Sequence, residues 1–78
     1  MPEAQANLET IYVRLLDEGT EVVRPAPARR LSEGLYELLP TPNYNPTDEN
    51  WEFLPGSKVA VQPTTMGDQQ IQLAISQR

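Results

Sequence analysis

The sequence predicts an all-β fold: a small five-stranded antiparallel barrel, SH3-like in shape and partly open, with one long proline-rich loop. Two observations carry this. Short runs of alternating apolar and polar residues recur along the chain, each bounded by Gly, Pro, Asn or Asp. The first two runs, within residues 11–25, flank the acidic turn Asp17-Glu18-Gly19 and read as a β-hairpin to which further strands can add.

Residues 1–9 are small and polar, without aromatic or β-branched side chains, and read as a flexible tail ahead of a single domain at 10–78. In the first strand Ile11, Val13 and Leu15 point to one face, and Tyr12, Arg14 and Leu16 to the other. Leu8, Ile11, Tyr12, Leu15 and Leu16 also fit a helical stripe with Gly19 as its C-cap. The run Thr10-Ile11-Tyr12-Val13 is a poor helical core, and the next segment supplies a strand partner, so the strand reading is preferred. Gly19 would then supply the positive φ of the hairpin turn.

The return strand begins at Thr20 and meets Pro25 and Pro27. Residues two apart aim their backbone at the same neighbour, so both prolines remove donors from one side. That side is expected to be an edge, a bulge or a departure from the sheet, and it resists edge-to-edge pairing. Ser32-Glu33-Gly34 is a turn. Residues 35–39 form a third strand, with Glu37 at an exposed position and Pro40 as its stop.

Residues 40–57 change character. Four prolines forbid a continuous ladder, and Asn43, Asn45, Asp48 and Asn50 favour local turns. Thr47 is positioned to cap a short helical turn over Asp48-Glu49-Asn50. Tyr44, Trp51 and Phe53 are three of the five aromatics of the chain, and so small a core needs their area. Trp51 and Phe53 are therefore expected to fold the loop down as a lid over a barrel end. Residues 58–64 and 70–76 close the sheet, with Met66-Gly67-Asp68-Gln69 between them. Ile71, Leu73 and Ile75 alternate with polar or small residues, the clearest period of two in the chain.

Eleven acids against six bases give a net charge of −5, which disfavours a general nucleic-acid binder and suits a basic protein partner. The chain has no cysteine and no histidine, so disulfides, thiolate chemistry, the usual neutral-pH base and the common zinc ligands are all missing. Ser57 and Lys58 are adjacent and diverge on a strand, so they form no dyad. The glycines are isolated, so no phosphate-cradling loop exists. Two acidic groups remain, Asp17 with Glu18 and Glu21, and Asp48 with Glu49 and Glu52. Either offers oxygens to a hard cation, but without a known calcium-loop spacing, and turn acids are ordinarily solvated. No catalytic residue, cofactor or metal is expected. No apolar run reaches membrane-spanning length and no basic–apolar leader is present, which points to a soluble, cytoplasmic protein.

LLDEGT at 15–20, Arg24-Pro25, GLYELL at 34–39 and WEFLPGSKV at 51–59 resemble a family of short, uncharacterised bacterial single-domain proteins. The resemblance covers most of residues 11–61 and implies a bacterial origin and one domain. It carries no functional residues with it. An Ala-Leu-Tyr-Asp-Tyr-like run is missing, so the SH3 comparison is one of shape. The expected function is a non-enzymatic protein-interaction module, monomeric, using Tyr44, Asp48, Glu49 and Glu52. The alternative is RNA or DNA binding through Arg14, Arg24, Arg29 and Arg30, although ion pairs with Glu21, Glu33 and Glu37 are the commoner use of such residues. A carboxylate- or metal-dependent enzyme ranks third.

Overall fold

A computed structural model describes residues 8–17, 22–42 and 44–78. Five strands form one sheet: β1 (Leu8–Leu15), β2 (Val22–Ser32), β3 (Leu35–Leu38), β4 (Lys58–Met66) and β5 (Gln69–Gln77). Among the described residues there is no helix. Consecutive strands pair antiparallel, and the order β1-β2-β3-β4-β5 closes on itself. In an up-and-down run of five, the first and last strands point the same way, so the closing seam must be parallel. It consists of the single pair Tyr12 and Leu73. The hydrogen bonding is ring-like, yet the barrel is not regular.

The first hairpin forms as its alternation requires. Ile11 and Val13 are buried, Leu15 is half-buried, and Leu16 is exposed. β1 begins at Leu8, two residues ahead of the tail boundary expected from composition, because Leu8 and Glu9 pair with Arg29 and Ala28. Residues 1–7, Glu18, Gly19, Thr20, Glu21 and Asn43 lie outside the described residues, and with them the expected φ of Gly19. Asp17 takes a left-handed φ of 65°, a conformation Asp tolerates better than most residues.

The prolines of β2 set where its second ladder stops. Leu39 N–H donates to the Pro27 carbonyl at 3.0 Å, and Pro27 has no N–H to return. Pairing of β2 with β3 therefore covers only Ala28 to Ser32, while β1 runs along the other side past both prolines. The edge expected at Pro25 and Pro27 is where it should be.

Two bulges bend the sheet. β2 and β3 lose register between Arg30 and Ser32, and β4 and β5 between Ala60 and Val61. Each leaves one extra apolar residue, Leu31 or Ile75, and both are about as exposed as each other, 40% and 42%. The expected Ile71-Leu73-Ile75 face is thereby broken. Ala74 turns into the core, while Leu73 stands opposite the outward Tyr12 at the seam. A bulge raises local twist, which so small a sheet needs in order to curl. β4 and β5 meet through a two-residue turn, Gly67-Asp68, with Gly67 at φ 60°, the glycine-first form whose twist suits a hairpin.

The core joins Ile11, Val13, Ala26, Ala28, Tyr36, Leu38, Val59 and Ala74 around Trp51. Three alanines share this cluster with the bulkiest side chain available. Small residues facing a large one is how a narrow interior reaches close packing.

Candidate functional site

Residues on β2 alternate, so Arg24 falls on the same inward face as the buried Ala26 and Ala28. It lies at the rim of the barrel end where β1 finishes and β2 starts. A charge there needs a partner, and the loop at 40–57 brings one. Arg24 Nε donates to Glu49 Oε1 at 3.2 Å, and its Nη2 lies 2.7 Å from Oε2, a two-point contact. The same Oε1 accepts from Trp51 Nε1 at 2.8 Å. Trp51 is 1% exposed, and Tyr44 packs edge-on against it with ring centroids 4.9 Å apart. The lid role expected for Trp51 is what it has, with Phe53 half-buried beside the same core.

Backbone bonds make the lid part of the sheet. Leu16 N–H donates to Asn50 O at 2.7 Å, and Glu52 N–H donates to Arg14 O at 2.8 Å. Trp51 thereby pairs antiparallel with Leu15, a one-residue extension on the free side of β1. Asn50 Nδ2 adds a bond to Asp17 Oδ2 at 2.8 Å. At the far end of the loop, Leu38 N–H donates to Ser57 O and Gly56 N–H to Leu38 O, with Gly56 at a φ of 95°.

The turn that aims Glu49 inward is capped by Asn45, not by Thr47. Asn45 Oδ1 accepts from the Thr47 N–H at 3.0 Å and from its hydroxyl at 2.7 Å. The Asn45 carbonyl accepts from the N–H groups of Asp48 and Glu49. Pro46 follows Asn45 directly, with its φ already suited to a helical turn. The Asn-Pro dipeptide was the available signal, and it places the cap two residues earlier.

Of the four candidate residues, Glu49 and Tyr44 therefore brace the lid, while Asp48 and Glu52 remain exposed. Glu52 Oε1 lies 3.8 Å from Arg14 Nη1. Asp48 and Asp17 rim an open acidic cleft of about 410 Å³, whose wall includes Glu49 and the exposed Leu16, while Glu52 lies outside it. Among the described residues no group of acids, His or Cys is placed to hold a metal ion.

The four arginines do not make one surface. Arg24 is turned in on Glu49. Arg29 Nε lies 3.7 Å from Glu37 Oε1 on the outside of the sheet. Arg29 stands opposite Leu8, six positions along β1 from Arg14, roughly 20 Å at strand spacing.

The opposite barrel end has a second glutamate that sequence reasoning assigned to the tail. Tyr36 reaches through the interior and its hydroxyl donates to Glu9 Oε1 at 2.9 Å. Burial, first, and then the bond and charge of Glu9 raise the Tyr36 pKa above its ordinary value, while Arg30 acts the other way. Nothing in the spacing of Glu9 and Tyr36 announces the pair, which is 27 residues apart. Beside Glu9 an open groove of about 550 Å³ follows the proline edge of β2.

No protein-family model, curated protein or solved structure matches the chain. No helix among the described residues is long and apolar enough to cross a membrane.

Proposed function

We propose that this chain is a non-enzymatic protein-interaction module that receives a basic partner at its acidic barrel mouth. Asp17 and Asp48 are the contact charges of the cleft, Leu16 supplies apolar area in its wall, Glu52 adds charge from outside it beside Arg14, and Tyr44 and Glu49 hold the platform rigid. The observation that supports this reading is the division of labour at 48–52. Glu49 is fully occupied by Arg24 and Trp51, whereas its neighbour Asp48 is held by the Asn45 turn and left to solvent. A pre-shaped mouth loses little conformational entropy on binding, and the net charge of −5 steers cations toward it. Phosphate is a poorer fit, since Arg14, Arg24 and Arg29 each already lie beside a carboxylate.

The test is an amide-resolved NMR titration of the protein with a Lys/Arg-rich peptide containing leucine, against an acidic peptide of the same length. Shifts should centre on Leu16, Asp17 and residues 47–52. The double change Asp48→Lys with Glu52→Lys should weaken binding about tenfold or more at low salt, because each reversal turns attraction into repulsion. Equal binding of the acidic peptide, or no change in the double variant, would overturn the reading.

A further inference from the structure

The outer face of the sheet, near the turn between β2 and β3, carries a second constellation. The pairs Ser32–Leu35, Leu35–Ala60 and Ala60–Ser76 run across β2, β3, β4 and β5 as one row. Tyr36 and Val59 point into the core, so by alternation Leu35 and Ala60 point out. Both bulges fall beside this row. Their extra residues, Leu31 and Ile75, directly precede Ser32 and Ser76 and add exposed apolar area at its two ends.

Two residues along the strands lies a row of charge. Arg29 pairs with Glu37, Glu37 pairs with Lys58, and the Arg78 N–H donates to the Lys58 carbonyl at 2.7 Å. Their strand neighbours Ala28, Leu38 and Val59 are buried, so Arg29, Glu37 and Lys58 also face outward. Glu37 is engaged by Arg29, 3.7 Å away. Among the described residues the side chains of Lys58 and Arg78 have no ion pair and no hydrogen bond. Like charges opposite each other on neighbouring strands are unfavourable, and an anion placed between them removes that cost. An open cleft of about 300 Å³ joins the two rows, bounded by Leu35, Ala60, Arg78 and the turn residues Ser32, Glu33 and Gly34. Glu33 stands past the apolar row, on the side away from Lys58, so the strip admits an acid at one end only.

We propose that this strip docks an extended peptide segment in which a carboxylate lies two positions from a large apolar side chain. The carboxylate sits between Lys58 and Arg78, and the apolar side chain enters the cleft against Leu35 and Ala60. The two rows are about 7 Å apart, the spacing of side chains i and i+2 on one face of an extended chain. The strands β3 and β4 are paired on both sides at these rows, so recognition rests on side chains and adds no strand. A polyphosphate fits less well, because Glu33 and Glu37 flank the few cations. The proposal goes beyond the basic-partner reading: it uses another face and a ligand charge of opposite sign, and each can fail alone.

The probe is the peptide N-acetyl-Glu-Thr-Leu-Thr amide, titrated into the isotope-labelled protein. Shifts should centre on the amides of Leu31, Leu35, Lys58, Ala60, Ile75 and Arg78, with a Kd on the order of 1 mM for so short a ligand. Replacing its Glu by Gln should weaken binding about tenfold. Moving the Glu next to the Leu puts the two on opposite faces of an extended chain and should weaken it severalfold. On the protein, Lys58→Gln with Arg78→Gln should cost about tenfold, and Ile75→Ser severalfold; all three positions are exposed, so the fold stays intact. Equal affinity of the Gln peptide, or an unaltered Kd in both protein variants, would overturn the proposal. So would a deoxythymidine oligonucleotide or anionic phospholipid vesicles that moved these amides where the peptide did not. A silent strip on a protein whose mouth still takes the Lys/Arg-rich peptide would overturn this proposal alone. A strip that binds beside a mouth that ignores that peptide would overturn only the basic-partner reading.

Discussion

The two ends of the barrel are built from the same three kinds of residue and reach different states. At one end Arg24 of β2, a glutamate and the indole of Trp51 converge. At the other, Arg30 of β2, a glutamate and the phenol of Tyr36 do so. In both, a buried aromatic ends in a donor that finds a carboxylate, as amphipathic rings do when one end must be satisfied. The difference lies in where the glutamate comes from. Glu49 arrives on the 19-residue connection between β3 and β4, which folds in, pairs with β1 and holds Arg24 at two points. Glu9 is only one strand position from being outside the sheet altogether, and it holds Tyr36 by a single bond. The interior of the first end is consequently closed by the lid, with an acidic cleft on its rim, and the second is left with a groove along its proline edge. A loop that supplies core is a stability device, whereas a strand end that supplies one acceptor leaves its barrel end less covered.

Truncation of the sealed end should have the largest effect. Trp51→Ala removes the bulkiest core side chain and should cost about 3–5 kcal/mol in urea unfolding, a large part of what a domain of this size possesses. Wild-type fluorescence should accordingly be blue-shifted and poorly quenched by iodide. A red-shifted, easily quenched Trp51 in a folded protein would break the comparison at its root.

Glu49→Ala should come next. It strips the partner from Arg24 and from the indole N–H, but the Arg24 side chain is 42% exposed and water replaces part of the loss. A cost of about 1–2 kcal/mol is expected, with the Trp51 emission moving to the red. A change below a few tenths would mean that backbone pairing alone holds the lid.

Tyr36→Phe probes the open end and should be the mildest, at about 1 kcal/mol, since the ring stays and one bond is lost. Its pH signature is more telling than its size. The folded pKa of Tyr36 is raised, so its contribution is complete below the unfolded value of 10.0 and falls as pH climbs above it, where the unfolded chain releases the proton first. Wild-type stability should therefore drop above pH 10 more steeply than that of Tyr36→Phe. Parallel curves would show that the Glu9 bond does not bear on folding.

Much of this architecture is legible in local sequence because local physics decides it. The alternation of Ile11 with Val13 selects the strand and its buried face. Pro25 and Pro27 mark an edge because a missing N–H is a property of the residue and not of its neighbours. Trp51 and Phe53 had to be core because a chain of 78 residues has little else of that area to bury. Tertiary structure alone decided the rest. The bulges at Leu31 and Ile75 answer the curvature that ring closure demands, so they overrode the clearest period in the chain and sent Ala74 inward in place of Ile75. The bonds of Glu49 to Arg24 and of Glu9 to Tyr36 span 25 and 27 residues. No short-range pattern encodes such pairs, because their partners meet only after every intervening strand has taken its register. The same closure determined which acids face solvent and which are used up.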